Sequence, residues 1–369
     1  MNQERLSFMA LHFVPGVGNI LVKQLISYCG SAENVFKLPK SRMLKIPGIG
    51  EITADSISKG RTLHEAEATF RKAERENTTI LCYMDKAYPY RLKHIEDAPS
   101  FLYVKGNTNL NASKAVAIVG TRQATTYGKE QVERLMEDIK PHGALIISGL
   151  AYGIDIHAHK QALKFGLSTV GVLGSGIDVI YPAAHKDTAG KMTNQGGLVT
   201  ENHFGTKPDA HNFPSRNRII AGMCDALIVV EAAEKGGALI TAEIANSYNK
   251  DVFAIPGNLG HTFSEGCNKL IKINKANLLM SVKDLEYIMN WNTGRQPNES
   301  QLSLDLPLFE PQEQAVLKAL QDNNRPMMID ELSFKTGIGH GLLSSLLLTL
   351  EFKNVVSSLP GKVYKLGRM

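Results

Sequence analysis

Short apolar runs alternate with longer amphipathic segments through the middle of the chain. Residues 115–119, 145–147, 169–173, 226–230 and 252–255 are almost continuously apolar. Strands buried on both faces of a parallel sheet have this character, and helix-length segments between them supply the crossovers. The pattern therefore predicts an α/β fold built on a Rossmann-like open parallel sheet.

The first three apolar runs each end in a loop that contains glycine. These loops are 120–122 (Gly-Thr-Arg), 148–155 (Ser-Gly-Leu-Ala-Tyr-Gly-Ile-Asp) and 174–176 (Gly-Ser-Gly). In open α/β sheets the loops that leave the carboxyl ends of the strands line the ligand crevice. Three such loops in succession predict one shared anion-binding edge.

Arginines accompany these loops. Arg122 lies in the first loop, and Arg216 and Arg218 begin a predicted helix for which Ser215 is the expected N-cap. Guanidinium groups match phosphate bidentately and keep their charge. Glycines that serve only as turn formers would not explain three arginines beside one crevice, so we interpret the edge as a phosphate-binding surface.

Signatures of catalysis and of nucleotide cofactors are missing from the sequence. There is no GxxxxGK[ST] loop, and the dinucleotide fingerprint lacks its third glycine and its strand-end acid. His157 and His159 are two positions apart, which places them on different faces of a helix, and Asp155 is expected to cap that helix. We therefore expect no catalytic residue, no bound metal and no cofactor.

Residues 1–75 are predicted to form a helical domain in which one short motif occurs twice. Pro-Gly-hydrophobe-Gly occurs at 15–18 and again at 47–50, which is typical of helix-hairpin-helix or SAM-like domains. The amides that follow such a hairpin can face a phosphate. Alternatively, the glycines only supply the positive φ of a tight turn. Both interpretations remain open at this point.

Residues 76–290 are predicted to form the extended Rossmann-like domain. Its first part, 76–112, is rich in tyrosine and proline, and we expect short extended segments that pack on the edge of the sheet. Its tyrosines could stack on bases, although packed aromatics are the favoured interpretation.

The polar stretch 291–308 is predicted to be a linker, and 309–369 a winged-helix domain of three helices and a hairpin. The helix expected to read DNA, 341–349, has no basic residue. A protein-docking or structural role is therefore favoured for this domain.

Composition adds limited information. The chain has 369 residues, a formal charge of +5 and an isoelectric point near 8.8, which permits binding to a polyanion. No apolar run approaches the ~20 residues of a membrane helix, and the four cysteines lack zinc spacing. We expect a cytoplasmic protein without a membrane partner.

At these motifs the sequence resembles the DNA-processing protein A (DprA/Smf) family. The matching pieces span most of residues 80–290, and include 119–122, 148–155, 213–222 and 237–242. The resemblance implies a non-catalytic homodimer that binds single-stranded DNA, protects incoming DNA and loads the RecA recombinase during natural transformation. It places the arginine of the first loop, Arg122, in the DNA-binding pocket.

Residue chemistry and resemblance together predict one set of DNA-binding positions. They are Gly120, Thr121, Arg122, Tyr127, Ser148, Gly149, Gly153, Phe213, Arg216, Asn217, Arg218, Gly236, Gly237 and Thr241. Two departures from the family pattern are Tyr152, where arginine is frequent, and Ala238, where serine is usual. The first removes a potential phosphate contact.

A nucleotide phosphoribohydrolase of the LOG (lysine-decarboxylase-like) type is the competing interpretation. Its Pro-Gly-Gly-x-Gly-Thr-x-x-Glu loop resembles residues 235–243. Here the proline is absent, and Glu243 follows Thr241 by two positions instead of three. That shift turns the carboxylate by about 100° around a helix, so we expect no enzyme activity.

Overall fold

The computed structural model describes residues 2–60, 62–291, 309–323, 326–353, 355–359 and 363–366. The chain divides into two compact units, Met1–Thr293 and Gly294–Met369. Of the predicted linker 291–308, only Trp291 lies within the described residues, and it is buried in the first unit. In those ranges, the helices all fall short of the length and apolarity needed to cross a membrane.

Helices form the amino-terminal part of the first unit, as predicted. They are α1 (Gln3–His12), α2 (Asn19–Cys29), α3 (Ala32–Lys37), α4 (Lys40–Met43), α5 (Glu51–Ser58) and α6 (Thr62–Arg75). Their apolar faces join residues of the neighbouring sheet in one core.

The two Pro-Gly hairpins serve the packing of this helical part. Gly16 and Gly48 adopt φ of 80° and 84°. At the start of α2, Asn19 donates to Glu201 (3.3 Å) and accepts from the Ser100 amide (2.8 Å). At the start of α5, the Glu51 carboxylate lies in the first turn and pairs with Lys40 at 2.8 Å. The side chains at both helix starts are thus engaged within the protein, and the positive φ of the hairpin glycines agrees with the tight-turn interpretation.

A nine-stranded sheet is the centre of the first unit. Its strands are β1 (Thr79–Cys82), β2 (Phe101–Gly106), β3 (Ala115–Val119), β4 (Leu145–Ser148), β5 (Thr169–Val172), β6 (Gly196–Thr200), β7 (Ala226–Val229), β8 (Asp251–Ala254) and β9 (Asn277–Leu278). The order is β1-β2-β6-β5-β4-β3-β7-β8-β9, parallel from β6 to β9 and antiparallel at β1 and β2. The predicted Rossmann-like sheet is confirmed.

Helices cover both faces of this sheet. They are α7 (Tyr90–Lys93), α8 (Thr126–Ile139), α9 (Ile154–Phe165), α10 (Lys186–Asn194), α11 (Asn212–Met223), α12 (Gly237–Ser247), α13 (Glu265–Lys272) and α14 (Val282–Ile288), with 3-10 turns at Lys140–His142 and Ala183–His185. Alternate side chains of β3 point to opposite faces: Ala117 packs in the core that includes α11 and α12, and Ile118 in the core that includes α8 and α9. This double burial explains the continuous apolar runs.

The strand order reverses at β3. The chain proceeds from β3 through β4 and β5 to β6 on one side, then returns to place β7 and β8 on the other. Between β3 and β7 the loops diverge to opposite faces, which leaves a crevice at the carboxyl ends of the strands.

Three of the connector aromatics are packed side chains, as favoured from the sequence, whereas Tyr90 is 45% exposed. Tyr88, Phe101 and Tyr103 are at most 2% exposed. The Tyr88 hydroxyl donates to the Pro99 carbonyl at 2.7 Å, and β2 joins the sheet beside β6. These rings are therefore unavailable to bases.

Two histidines lie where α1 meets the sheet. The His12 ring is 4.6 Å from Phe101 and 5.4 Å from His203. Burial, with the neighbouring His203, lowers the pKa of His12 to about 4. The folded state therefore holds this ring in its neutral form.

Stability should consequently fall on acidification. The unfolded chain binds a proton at His12 as the pH drops below about 6.5, whereas the folded chain does so only near 4, so the unfolding free energy decreases between these values by about 3 kcal/mol from this group. His12→Leu should flatten the pH dependence of urea unfolding, and exposed His64→Leu should not. An equally steep profile for His12→Leu would contradict this assignment.

The second unit has the predicted winged-helix arrangement. It contains α15 (Pro311–Asn323), β10 (Met327–Met328), α16 (Ile329–Thr336), α17 (His340–Phe352), β11 (Val356–Leu359) and β12 (Val363–Leu366), with sheet order β10-β12-β11. The outer positions of α17 include Leu342 and Leu348, and the helix contains no lysine or arginine. A recognition helix that contacts nucleic acid normally has basic side chains at these outer positions.

Candidate nucleic-acid interface

A crevice of about 400 Å³ opens at the reversal between β3 and β7, and we call it the strand-end crevice. Nine predicted positions line it: Gly120, Thr121, Arg122, Phe213, Arg216, Asn217, Gly236, Gly237 and Thr241. The structure thus brings together residues from the β3 loop, the start of α11 and the start of α12.

Arg122 is the exposed cation of this crevice. Its loop is fixed because the Thr121 amide donates to the Glu231 carbonyl (2.7 Å), and the Thr121 carbonyl accepts from the Ile154 amide (3.1 Å). Within the described ranges Arg122 forms no ion pair, and its guanidinium lies 5.9 Å from the Phe213 ring. A fixed backbone therefore presents an uncompensated charge to solvent.

Gly153 makes this placement possible. It immediately precedes α9, with φ of 77°. A Cβ there would lie 2.7 Å from the Cα of Arg122, which real side chains do not tolerate. The second loop can press against the first only because this position is glycine.

Arg216 is the structural counterpart of Arg122. It is 5% exposed and donates through Nη1 to the carbonyls of Gly149 and Val172, while its Nε has no partner in the described structure. Burial, together with the charge of Arg122, lowers the pKa of Arg216 to about 10. This guanidinium ties the β4 and β5 loops together and forms a positive wall beneath the crevice.

The prediction that Ser215 is the N-cap of α11 is wrong. The helix begins at Asn212 after His211, and the Ser215 hydroxyl donates to the His211 carbonyl inside the first turn. Pro214 fits this first turn because its missing N–H would have no intrahelical acceptor. The earlier start places Phe213 on the helix and at the crevice.

Asp155 is not the cap of α9. It occupies the second helical position and accepts from the Gly149 amide at 3.1 Å. Burial raises the pKa of Asp155, against the opposing effect of Arg216. The Asp155 carboxyl points into the loop after β4, and its hydrogen bond to the Gly149 amide stabilises the conformation of that loop.

Main-chain donors complete the crevice at the start of α12. The N-cap residue Gly236 offers no side-chain hydrogen bond. The first-turn amides of Gly237 and Ala238 have no intrahelical acceptors, and the helix dipole adds positive potential there. This end of the crevice is suited to an anion.

Tyr181 adjoins the crevice through Phe213 and was not among the predicted positions. Its ring is 49% exposed and lies 5.8 Å from Phe213. Arg122, Phe213 and Tyr181 thus form a continuous series of flat groups. The signal available in the sequence was a tyrosine shortly after the third glycine loop, at 174–176.

The remaining predicted positions do not line the crevice. Ser148 and Gly149 form its buried support, with the Ser148 hydroxyl donating to the Ile118 carbonyl at 2.6 Å. The Tyr127 hydroxyl donates to the Pro256 carbonyl at 2.5 Å. Arg218 pairs with Glu201 and donates to the Asp97 carbonyl, so the expected convergence of three arginines holds for two.

The structure also places the carboxylate of the competing enzyme interpretation. Glu243 is exposed on α12 and pairs with Lys275 at 2.7 Å. It does not line the strand-end crevice. The histidine pair is likewise split, because His159 is buried against Thr169 while His157 reaches the Lys129 carbonyl.

Comparison with known proteins agrees with this geometry. A sequence model described as DNA recombination-mediator protein A matches residues 79–290, and one for the DprA winged helix domain matches 296–362. The chain belongs to the DNA recombination-mediator protein A family. A relative, Protein Smf of Synechocystis sp., is 32% identical over 99% of both chains. DNA processing protein DprA of Streptococcus pneumoniae is 42% identical over 55% of this chain and 71% of its own.

Solved structures of the family superpose on this one. The crystal structure of DprA from Streptococcus pneumoniae matches with a TM-score of 0.68 and 32% identity, over 78% of this chain and 98% of that one. A structure on the single-stranded DNA binding mode of DNA processing protein A from Helicobacter pylori has a TM-score of 0.53 and 27% identity, over 59% and 97%.

Proposed function

We propose that this chain is a single-stranded DNA-binding recombination mediator of its family, which protects incoming DNA and loads RecA during natural transformation. The observation that carries DNA binding is Arg122, an exposed cation without an acidic partner in the described structure, at a crevice with free main-chain donors. The Helicobacter pylori relative, whose structure concerns single-stranded DNA binding, supports the same ligand.

The groups around the crevice suit a strand that is held and not cleaved. Arg122 and the α12 amides would hold phosphates, and Phe213 with Tyr181 would stack on bases. The nearby carboxylates are already engaged, Asp155 by the Gly149 amide and Glu231 by Thr125. We therefore propose binding without catalysis, and a base-release assay with nucleoside monophosphates should detect no turnover.

The homodimer, the RecA contact and the cytoplasmic location are proposed from the family resemblance. An exposed apolar edge supports dimerisation: β9 ends the sheet, and Leu278, Met280 and Ile273 near it are 40–74% exposed. Edge strands of this kind favour pairing with another chain. Sedimentation should give a dimer, and RecA assembly on coated strands should accelerate when the protein is added.

The winged-helix domain should contribute little to single-strand affinity. Helix α17 contains no lysine or arginine and exposes Leu342 and Leu348, and Phe334 on α16 is 92% exposed, so we assign this unit to protein docking. Deleting residues 305–369 should leave the dissociation constant for oligothymidylate within about three-fold. Fluorescence anisotropy checks this, and a ten-fold or greater weakening would show that the domain holds DNA.

A further inference from the structure

A second concave surface lies on the helical part of the first unit. It encloses about 550 Å³ and shares no lining residue with the strand-end crevice. Its walls include Tyr28 at the end of α2, Lys37 at the end of α3, Arg42 in α4 and the following Lys45. We call it the basic groove.

Most of the positive charge of the basic groove is uncompensated. No carboxylate is found among its lining residues, and Arg42 and Lys45 form no ion pair within the part of the chain described. Lys37 does pair, with Glu33 at 2.5 Å. Two cations therefore face the groove without an acidic partner.

Several other cations of the same helical part are neutralised. Lys40 pairs with Glu51 at 2.8 Å, Arg71 pairs with Glu67 at 2.6 Å, and Lys59 pairs with Asp55. Local ion pairing is thus common on this surface, although Lys23 and Arg75 also lack an ion pair among the described residues. Arg42 and Lys45 differ from these unpaired cations because they line one concave surface together.

An aromatic ring accompanies these cations. Tyr28 is 61% exposed on the wall of the groove. Exposed aromatics beside backbone-tracking cations are the combination by which proteins hold single strands, because every base offers a face for stacking. An acidic peptide would need the charges but not the ring.

We propose that the basic groove is a second contact segment for single-stranded DNA, with Arg42 and Lys45 at phosphates and Tyr28 against a base. This inference rests on the proposed function, since the same strand is taken to occupy the strand-end crevice. A short strand would fill the crevice alone, and a longer one would also reach the groove.

An oligothymidylate length series tests the proposal on the full chain. Arg42→Gln/Lys45→Gln should bind the shortest crevice-filling strand normally, and a long strand about ten-fold more weakly. For the long strand, the slope of log affinity against log salt should become less steep by about 1.4, which is 0.7 for each phosphate that the variant no longer neutralises. Tyr28→Ala should weaken long-strand binding about ten-fold with the slope unchanged.

The matched control is Lys59→Gln/Arg71→Gln, which removes two charges from the same helical part outside the groove. If the groove variant equals this control on every strand, the proposal is overturned, and an acidic protein partner would give that result. Unfolding midpoints should match the unaltered chain, because all the altered side chains are at the surface.

Failure of the groove and failure of the crevice give different patterns. If Arg122→Ala weakens short-strand binding while the groove variant binds every strand normally, the crevice stands and the groove proposal falls. If Arg122→Ala binds normally and the groove variant still binds long strands more weakly, the groove stands and the crevice is wrong.

Discussion

Arg122→Ala should lower the affinity for short oligothymidylate by ten-fold or more. An exposed guanidinium that meets a phosphate makes a charge-assisted contact worth about 1.5–3 kcal/mol. Removing it should also make the salt dependence less steep by about 0.7. Anisotropy titrations at several salt concentrations measure both quantities.

Two companion variants separate charge from shape. Arg122→Lys keeps the charge but loses the planar fork beside Phe213, so the salt slope should stay while affinity falls by an intermediate amount. Arg71→Ala removes an exposed cation of the helical part and should change neither quantity appreciably. Equal affinity and slope for Arg122→Ala and the unaltered chain would refute the crevice as the DNA site.

Arg216→Met should lower the unfolding free energy by about 3 kcal/mol or more. The change removes the donor shared by the Gly149 and Val172 carbonyls, and it leaves the buried Asp155 carboxyl without its nearby cation. Leaving a buried acceptor without its donor costs roughly 1–3 kcal/mol, and two carbonyls lose theirs here. Urea unfolding followed by circular dichroism measures the decrease.

A double variant tests the cause of that decrease. Arg216→Met/Asp155→Asn should recover part of the stability, because the amide needs no compensating charge. If Arg216→Met instead kept full stability and lost only DNA affinity, Arg216 would be a direct ligand and not the support assigned to it. Arg122→Ala, by contrast, should leave the unfolding free energy nearly unchanged, because the Arg122 side chain is exposed.

Sequence reasoning reached the sheet because its strands are buried on both faces. Ala115–Val119 and Ala226–Val229 read as apolar runs for that reason, and the loops after them necessarily share one edge of a parallel sheet. Gly120, Arg122 and Gly236 could therefore be assigned to one crevice from their positions along the chain.

Side-chain direction could not be obtained in this way. Arg216 and Arg218 are two residues apart on α11, so they point to different sides, one beneath the crevice and one to Glu201. The helix start was misplaced by about one turn because Ser215 resembled a cap, whereas the first turn accommodates Pro214. Such choices depend on partners distant in sequence.

The sequence by itself determined the α/β sheet, the helical and winged-helix flanks, the family, and the loops that converge at one edge. These follow from local periodicity and from glycine and arginine placement, which are properties of the linear chain. Only the tertiary structure decided that Arg122 has no acidic partner among the described residues, that Tyr181 lies beside Phe213, and that Arg42 and Lys45 share a groove with Tyr28. Exposure and pairing are set by which distant segments meet, and no local pattern encodes that.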